Sequence, residues 1–265
     1  MSHNADTKDQ AYQNGAYVVG LDALRAAWAH EAQIFRAQAR CELNIAYGDD
    51  PRATYDIFFP KDPPKGLMIY VHGGYWMQSA PSEWSHFATG AIAHGYAVAM
   101  IGYPLAPQLR LTEMPGFILD GITAAALRVD GAISLLGHSA GGQLVSRIIT
   151  QGGISPMVTE RLKRVIAISP ISDLRPLLGL EMNGVLGLTP VEAENESPVL
   201  NSKIEGIDFR VIVGSEERPV FLDQARWLSQ AWNCRQHMMP GCNHFDVLEG
   251  LREVNSPMMS FVFDR

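Results

Sequence analysis

The stretch Ala132-Ile-Ser-Leu-Leu-Gly-His-Ser-Ala-Gly-Gly142 decides the fold prediction for this sequence. Its first five residues are mostly apolar, which is typical of a strand buried in a sheet. A helical pattern follows over residues 141–151. Between strand and helix lies G-x-S-x-G, a sharp turn that exposes its serine at the end of a strand. The arrangement predicts that Ser139 is a nucleophile. It also predicts that the N–H group of Ala140, where the helix begins, faces a developing negative charge.

Short apolar runs like the one before Ser139 recur along the chain and alternate with helical stretches. This alternation predicts an α/β fold with a mostly parallel central sheet flanked by helices. The predicted strands span residues 55–59, 66–71, 96–102, 132–136, 164–168, 209–213 and 235–239. The predicted helices span residues 21–39, 83–94, 116–129, 141–151 and 220–232.

The 265 residues are interpreted as a single domain, residues 1–265, in which residues 1–45 form an N-terminal arm and helix. Residues 174–206 contain several leucines, but glycines and prolines interrupt them too often for one helix. Because this segment lies between two predicted strands, it is predicted to be a small cap-like insertion above the sheet.

The composition argues against several classes of function. Hydrophobic residues make up 47% of the chain and charged residues 18%, a balance that suits a large buried core and not a disordered protein. The formal net charge of −7, without a basic cluster, argues against a nucleic-acid partner. No apolar run approaches the roughly 18 residues needed to span a bilayer, and the N-terminus lacks a signal-peptide layout. We therefore expect a cytoplasmic protein with no membrane partner.

The three cysteines, Cys41, Cys234 and Cys242, have no metal-ligand spacing, and their odd number argues against a disulfide framework. Neither a metal nor an organic cofactor is predicted. The expected partners are a small-molecule substrate and a second copy of the chain in a homodimer.

One predicted strand runs into a second glycine-rich turn, His72-Gly-Gly-Tyr-Trp76. A loop of this type, in the equivalent place, supplies the second backbone donor of an oxyanion hole. Gly73, Gly74 or Tyr75 could provide that N–H group, which would bind charge that exists only in the transition state. We expect His72 to hydrogen-bond the loop backbone rather than to transfer protons.

A nucleophilic serine needs a base within hydrogen-bond distance and an acid that orients the base. In folds with this serine turn the order along the chain is serine, acid, histidine. His237 and His244 are the two histidines that follow Ser139. His237 falls inside a predicted strand, whereas His244 lies on a loop after the last one. His244 is therefore the predicted base.

Three carboxylates are candidates for the acid. Glu216 and Glu217 follow the predicted strand 209–213, and Asp173 follows the strand before it. Adjacent side chains on a loop usually diverge, so we expect at most one of the two glutamates to reach the imidazole. The residues alone leave the choice open.

Four motifs together resemble the α/β-hydrolase kynurenine formamidases (arylformamidases) and their esterase and lipase relatives with an HGGxW loop. They are His72-Gly-Gly-Tyr-Trp76, Tyr103-Pro-Leu-Ala-Pro107, Gly137-His-Ser-Ala-Gly-Gly142 and His244-Phe-Asp246. The resemblance covers nearly the whole chain. It implies an α/β-hydrolase fold and a cofactor-free serine hydrolase. The family's acid lies two residues before a proline, which implies Glu217, although the family typically has Asp there.

The resemblance also implies a reaction, the hydrolysis of an N-formyl aryl amide. A formyl group is the smallest acyl unit, so Tyr75 and Trp76 are predicted to crowd the acyl side of the site. Phe245 and the insertion 174–206 are predicted to line the leaving-group side. The alternative enzyme is a general short-chain carboxylesterase, and a third interpretation is a non-catalytic hydrolase fold that binds a small ligand.

Overall fold

In a computed structural model of the protein, which describes residues 8–151 and 154–263, eight strands form one sheet. They are β1 (Cys41–Ala46), β2 (Thr54–Phe58), β3 (Gly66–Val71), β4 (Ala97–Ile101), β5 (Ala132–His138), β6 (Leu162–Ile168), β7 (Asp208–Gly214) and β8 (Arg235–Met239). Their order across the sheet is β1-β2-β4-β3-β5-β6-β7-β8. β2 is antiparallel to both of its neighbours, and β3 to β8 are parallel. The predicted mostly parallel α/β fold is confirmed.

The helices lie before, between and after these strands. They are α1 (Lys8–Tyr12), α2 (Leu21–Gln38), α3 (Thr89–Ala93), α4 (Met114–Ala126), α5 (Ala140–Gln151), α6 (Pro156–Thr159), α7 (Asn183–Leu186), α8 (Pro190–Asn195), α9 (Pro219–Ala231) and α10 (Pro257–Phe263). Shorter 3₁₀ segments are Gly15–Tyr17, Pro81–Ala88, Arg175–Gly179, Pro198–Leu200 and Asp246–Leu251. None of the helices in the described ranges combines the length and apolar character of a membrane span.

The central strand β3 shows why the strands read as continuous apolar runs. Leu67, Ile69 and Val71 are buried in a core on one face of the sheet, and Met68 and Tyr70 in a core on the other. Helices α4, α5 and α9 pack in the first core, and α2 and α10 in the second. Because both faces of the sheet are covered, the residues of such a strand do not alternate between apolar and polar.

The strand β1, at one edge of the sheet, was not predicted from the sequence. All six of its residues are exposed or half-buried, and its pairing with β2 shifts register between Glu42 and Ile45. Asn44, inside this irregularity, has φ 55°. An exposed, irregular edge strand has no apolar run that could reveal it. β1 starts inside the predicted arm 1–45, of which residues 1–7 lie outside the described residues.

The predicted helix 83–94 is instead the 3₁₀ segment Pro81–Ala88 followed by the short helix α3. Trp84 and Phe87, three residues apart, both turn towards Trp28 of α2, with ring centroids 5.9 and 5.1 Å away. Residues at i and i+3 eclipse one another in a 3₁₀ helix, so this winding lets both rings face the same partner.

The segment 174–206 folds as short helical turns, from the 3₁₀ turn Arg175–Gly179 through α7 and α8 to Pro198–Leu200. A capping box starts α8, in which Thr189 and Glu192 bond each other's backbone N–H groups. Leu177 and Leu186 are buried in the same core as α5 and α9. The division into one domain with a cap-like insertion stays a prediction.

Candidate active site

Ser139 stands at the turn between β5 and α5 in the left-handed backbone region, at φ 56°. A Cβ at Gly137 would lie 2.1 Å from the carbonyl oxygen of Gly141, and one at Gly141 would lie 2.2 Å from that of Val71. Neither position therefore accepts a side chain. The Ser139 N–H group donates to Ile168 O at 2.8 Å, which ties the turn to the neighbouring strand β6. These contacts hold the serine in a conformation that is rare for a residue other than glycine.

His244 and Glu217 are hydrogen-bonded, with 2.7 Å between Nδ1 and Oε2. Nδ1 is thus the ring nitrogen that faces the acid, and Nε2 is the ring nitrogen that remains to take a proton from the serine. The Glu217 side chain is fully buried. Its other oxygen accepts a hydrogen bond from the Gly214 N–H group at 2.8 Å and one from the Ser169 hydroxyl. The imidazole is thus oriented by a carboxylate that is itself held in place.

The three candidate carboxylates occupy different environments. Glu216 is exposed, and Asp173 is bound by Arg175, with 2.7 Å between Oδ2 and Nη2. Glu217 is the candidate that contacts the imidazole of His244. Gly214 makes this contact possible, because a Cβ there would lie 2.2 Å from the Cys242 carbonyl oxygen and would push the histidine loop away.

A cavity of about 450 Å³ opens at this end of the sheet, and Ser139 and His244 both line it. The predicted residues Gly74, Tyr75 and Phe245 line it too. Two further rings, which the sequence did not assign to the site, complete its aromatic wall: Trp28 and Trp84.

Trp76 lies in the core and not at the cavity, contrary to the prediction. Its side chain is fully buried, and its Nε1 donates to Gln143 Oε1 at 3.0 Å. His237, on β8, stacks on Phe261 with 5.3 Å between ring centroids, as expected for a residue outside the site.

The backbone around Ser139 has the donors of the predicted oxyanion hole. A Cβ on Gly73 would lie 3.0 Å from Ser139 Cβ, so this residue packs directly against the serine. In residues 8–151 and 154–263, no backbone carbonyl accepts from the N–H groups of Gly73 and Gly74. Ala140 begins α5, and the first N–H groups of a helix have no partner within it. The assignment of these donors to an oxyanion stays a prediction.

Comparisons with known proteins agree with this geometry. The family model described as the alpha/beta hydrolase fold matches residues 68–185. The structure of a proposed thioesterase from Silicibacter sp. TM1040 superposes with a TM-score of 0.94 at 42% identity, covering 97% of this chain and 99% of that one. The chain belongs to the α/β-hydrolase family.

Two further proteins are similar to this α/β-hydrolase. A kynurenine formamidase from Salmo salar is 27% identical over 82% of this chain and 79% of its own. Esterase B from Lactobacillus rhamnosus superposes with a TM-score of 0.67 at 19% identity, covering 91% of each chain, which shows the shared fold alone. Family membership makes the protein a hydrolase.

Two buried histidines of the hydrolase, His72 and His138, hydrogen-bond backbone carbonyl groups at the site. His72 donates from Nδ1 to Gly73 O at 2.7 Å, as expected from the sequence, and its ring stacks on Tyr103. Burial lowers the pKa of His72 to about 4, so it is neutral. His138, inside the serine motif, has Nε2 2.9 Å from the His244 carbonyl oxygen, and burial together with the nearby His244 lowers its pKa. Neutral His138 therefore donates to the backbone of the base.

Sequence reasoning missed Ser169 and the N-terminal contacts of the site. Ser169 follows β6 directly and has φ 49°, and its hydroxyl reaches Glu217 from the neighbouring strand. The Tyr75 hydroxyl donates to Tyr12 O at 2.6 Å, which attaches the N-terminal segment to the cavity wall. No motif marks these positions. In the described parts of the chain, no group of three or more His, Cys, Asp or Glu residues is arranged to hold a metal ion.

Proposed function

We propose that this α/β-hydrolase is a kynurenine formamidase-like serine hydrolase that cleaves small formyl or acyl aryl amides and esters through Ser139, His244 and Glu217. The observation that carries the proposal is the buried hydrogen bond between His244 Nδ1 and Glu217 Oε2, beside a cavity that Ser139 also lines. A serine at a strained turn, a base and a buried acid are the parts that acyl transfer requires.

In the first proposed step, His244 Nε2 accepts the proton of Ser139 Oγ while Oγ bonds to the substrate carbonyl carbon. The Glu217 carboxylate stabilises the imidazolium that forms. The N–H groups of Ala140 and of Gly73 or Gly74 donate to the oxyanion, and such donors are each worth about 3 kcal/mol of transition-state stabilisation. The bond to the leaving group then breaks, and the leaving amine or alcohol takes the proton from His244. The acyl group remains on Ser139 as an ester.

The second step repeats this chemistry with water. Water gives a proton to His244 as its oxygen bonds to the acyl carbon. The ester bond breaks, Ser139 Oγ recovers the proton from His244, and the acid product leaves. When the acyl unit is formyl, the product is formate.

An aryl leaving group is supported by the cavity wall. Trp28, Tyr75, Trp84 and Phe245 line the space beside the serine and offer flat apolar surfaces to a ring. The similarity to the Salmo salar kynurenine formamidase supports an aryl formamide as the substrate.

An ester or thioester hydrolase, of the short-chain carboxylesterase type, is the second candidate. The 42% identity to the proposed thioesterase from Silicibacter favours it, because that similarity extends over nearly the whole of both chains. The two candidates share the same site and differ in the bond that is broken.

Comparison of kcat/KM for N-formylkynurenine, p-nitrophenyl acetate, p-nitrophenyl butyrate and an S-phenyl thioacetate separates these functions. The formamidase function requires N-formylkynurenine to match or exceed the esters, and acetate to exceed butyrate. An ester or thioester value higher by orders of magnitude would favour the second candidate. Ser139→Ala protein serves as the control with every substrate, because residual hydrolysis in that variant does not come from the proposed nucleophile.

A further inference from the structure

Arg25 is an exposed residue of α2 that lines the same cavity as Ser139 and His244. Its guanidinium lies over the ring of Phe245, with 5.3 Å between Cζ and the ring centroid. Within residues 8–151 and 154–263, Arg25 forms no ion pair and donates no side-chain hydrogen bond. A guanidinium that rests on an aromatic face keeps its N–H edge available for a ligand.

Other arginines of the protein are satisfied by carboxylates. Arg110 pairs with Glu192, Arg147 with Glu196 and Arg175 with Asp173. Arg25 differs from these arginines, because its five N–H donors have no carboxylate partner among the described residues. Its positive charge also acts on the cavity wall, since it partly offsets the rise in the Tyr75 pKa that burial causes.

The other charges at the cavity define where an anion can lie. Among the described residues that line it, Arg25 is the only arginine or lysine and Glu83 the only carboxylate. Glu83 accepts a hydrogen bond from the Ser79 hydroxyl at 3.0 Å. A ligand carboxylate is attracted to Arg25 and repelled by Glu83, so the pair favours one orientation over its reverse.

The position of Phe245 indicates on which side of the bond that breaks Arg25 lies. Phe245 follows His244 in the chain, and their rings meet edge to face with 5.5 Å between centroids. Because His244 would protonate the leaving group, an anion held at Arg25 lies on the leaving-group side of the bond that breaks.

We propose that Arg25 forms a carboxylate subsite that selects substrates whose aryl leaving group carries a carboxylate group. The inference rests on the proposed function, because it concerns the substrate of the same site. Arginine suits this role because it can bind a carboxylate through two parallel N–H···O bonds. The ring of Phe245, over which the guanidinium lies, holds the guanidinium in position.

The test measures binding without turnover. N-formylkynurenine and its carboxamide, which differ in one negative charge, are titrated calorimetrically into Ser139→Ala protein and into Ser139→Ala carrying Arg25→Gln, Arg25→Lys or Arg40→Gln. Arg40 is the matched control, because it is exposed and lies over Phe59 at 5.6 Å but does not line the cavity. Circular dichroism checks the fold of each variant.

The carboxylate should bind about tenfold or more tightly than the carboxamide when Arg25 is present. Arg25→Gln should abolish this preference, Arg25→Lys should keep part of it, and Arg40→Gln should keep all of it. Raising the NaCl concentration should weaken the preference. An equal affinity for the two ligands in the parent protein, an unchanged preference in Arg25→Gln, or no binding of either ligand would overturn the subsite.

Hydrolysis by the wild-type protein separates this result from the proposed function. Hydrolysis of N-formylkynurenine without a carboxylate preference in binding overturns the subsite alone. A preference that depends on Arg25, in a protein that does not hydrolyse N-formylkynurenine or p-nitrophenyl acetate, supports the subsite and overturns the proposed function.

Discussion

Two regions meet at the cavity: a turn cluster of Ser139, Ser169, Glu217 and His244 at the ends of the strands, and a ring cluster formed by Trp28, Trp84, His86 and Phe87. In the turn cluster, Glu217 receives hydrogen bonds from the Gly214 backbone, from Ser169 and from the base. In the ring cluster, side chains pack on one another with centroids 4.1 to 6.1 Å apart.

This difference between the two clusters predicts whether a substitution changes catalysis or stability. Directional bonds in the turn cluster hold groups that act on the reacting bond, so substitutions there should lower kcat. Non-directional packing in the ring cluster shapes the cavity and stabilises the fold, so substitutions there should change stability more than chemistry. The predictions below test this division, beginning with the largest effect.

Ser139→Ala should lower kcat/KM for any substrate of the enzyme by about 10³-fold or more, because removal of the nucleophile leaves only binding and the oxyanion donors. Initial rates with p-nitrophenyl acetate measure the loss. A fluorophosphonate should label the wild-type protein on Ser139, as mapped by mass spectrometry. Retention of the wild-type rate, or labelling at another serine, would show that Ser139 is not the nucleophile.

Glu217→Gln should lower kcat by about 10³–10⁴-fold, because an amide cannot stabilise the imidazolium as a carboxylate does. The adjacent Glu216→Gln is the matched control. Its side chain is exposed, and we expect its kcat to stay within about twofold of wild type. Equal effects of the two substitutions would contradict the assignment of Glu217 as the acid.

The turn cluster was largely predictable because its members follow strands in a set order. Ser139 has a motif with a local steric cause, and His244 follows from chain order. Glu217 could be preferred to Glu216 only through resemblance to a family, because the residues alone do not show which of two adjacent side chains turns inward. Ser169 was missed because only the pairing of β6 with β7 brings its hydroxyl to Glu217.

The ring cluster was not predictable from local pattern. Trp28 appears in the sequence as one apolar position of a helix, and nothing there indicates that it docks on Trp84 and Phe87. Its indole N–H donates to Glu249, a residue 221 positions away. Trp76 was misplaced for the same reason. The adjacent Tyr75 has nearly the same φ, 53° against 60°, yet lines the cavity, so no local feature separates the two rings. Tertiary packing decides such positions.

Ser169→Ala should lower kcat about tenfold and leave KM nearly unchanged, because it removes one hydrogen bond to the carboxylate that orients the base. Ser172→Ala is the control. Ser172 is equally buried near the same strand, but its hydroxyl donates to Gln224. Steady-state kinetics of both variants are compared. A rise in KM without a fall in kcat for Ser169→Ala would show that Ser169 shapes the cavity and does not position the acid.

His86→Leu, in the ring cluster, should leave kcat within about twofold of wild type and change how stability depends on pH. His86 is 2% exposed, and in the described structure neither ring nitrogen has a hydrogen-bond partner. Burial, with a smaller effect of Arg252, lowers its pKa to about 4. An unfolded histidine has a pKa near 6.5. Between these values the unfolded chain binds more protons, so the stability that neutral His86 contributes is lost as the pH falls from about 6.5 to 4.

This loss amounts to at most about 2 kcal/mol between pH 7 and pH 5. Urea unfolding at the two pH values, followed by circular dichroism, should therefore show a smaller decrease for His86→Leu than for wild type. His72, whose pKa burial also lowers to about 4, is present in both proteins and cancels in the comparison. If the two proteins lose equal stability, the imidazole of His86 is as free to take up a proton in the fold as in the unfolded chain. The ring cluster would then be open to water at His86, and burial would not be what keeps this imidazole neutral.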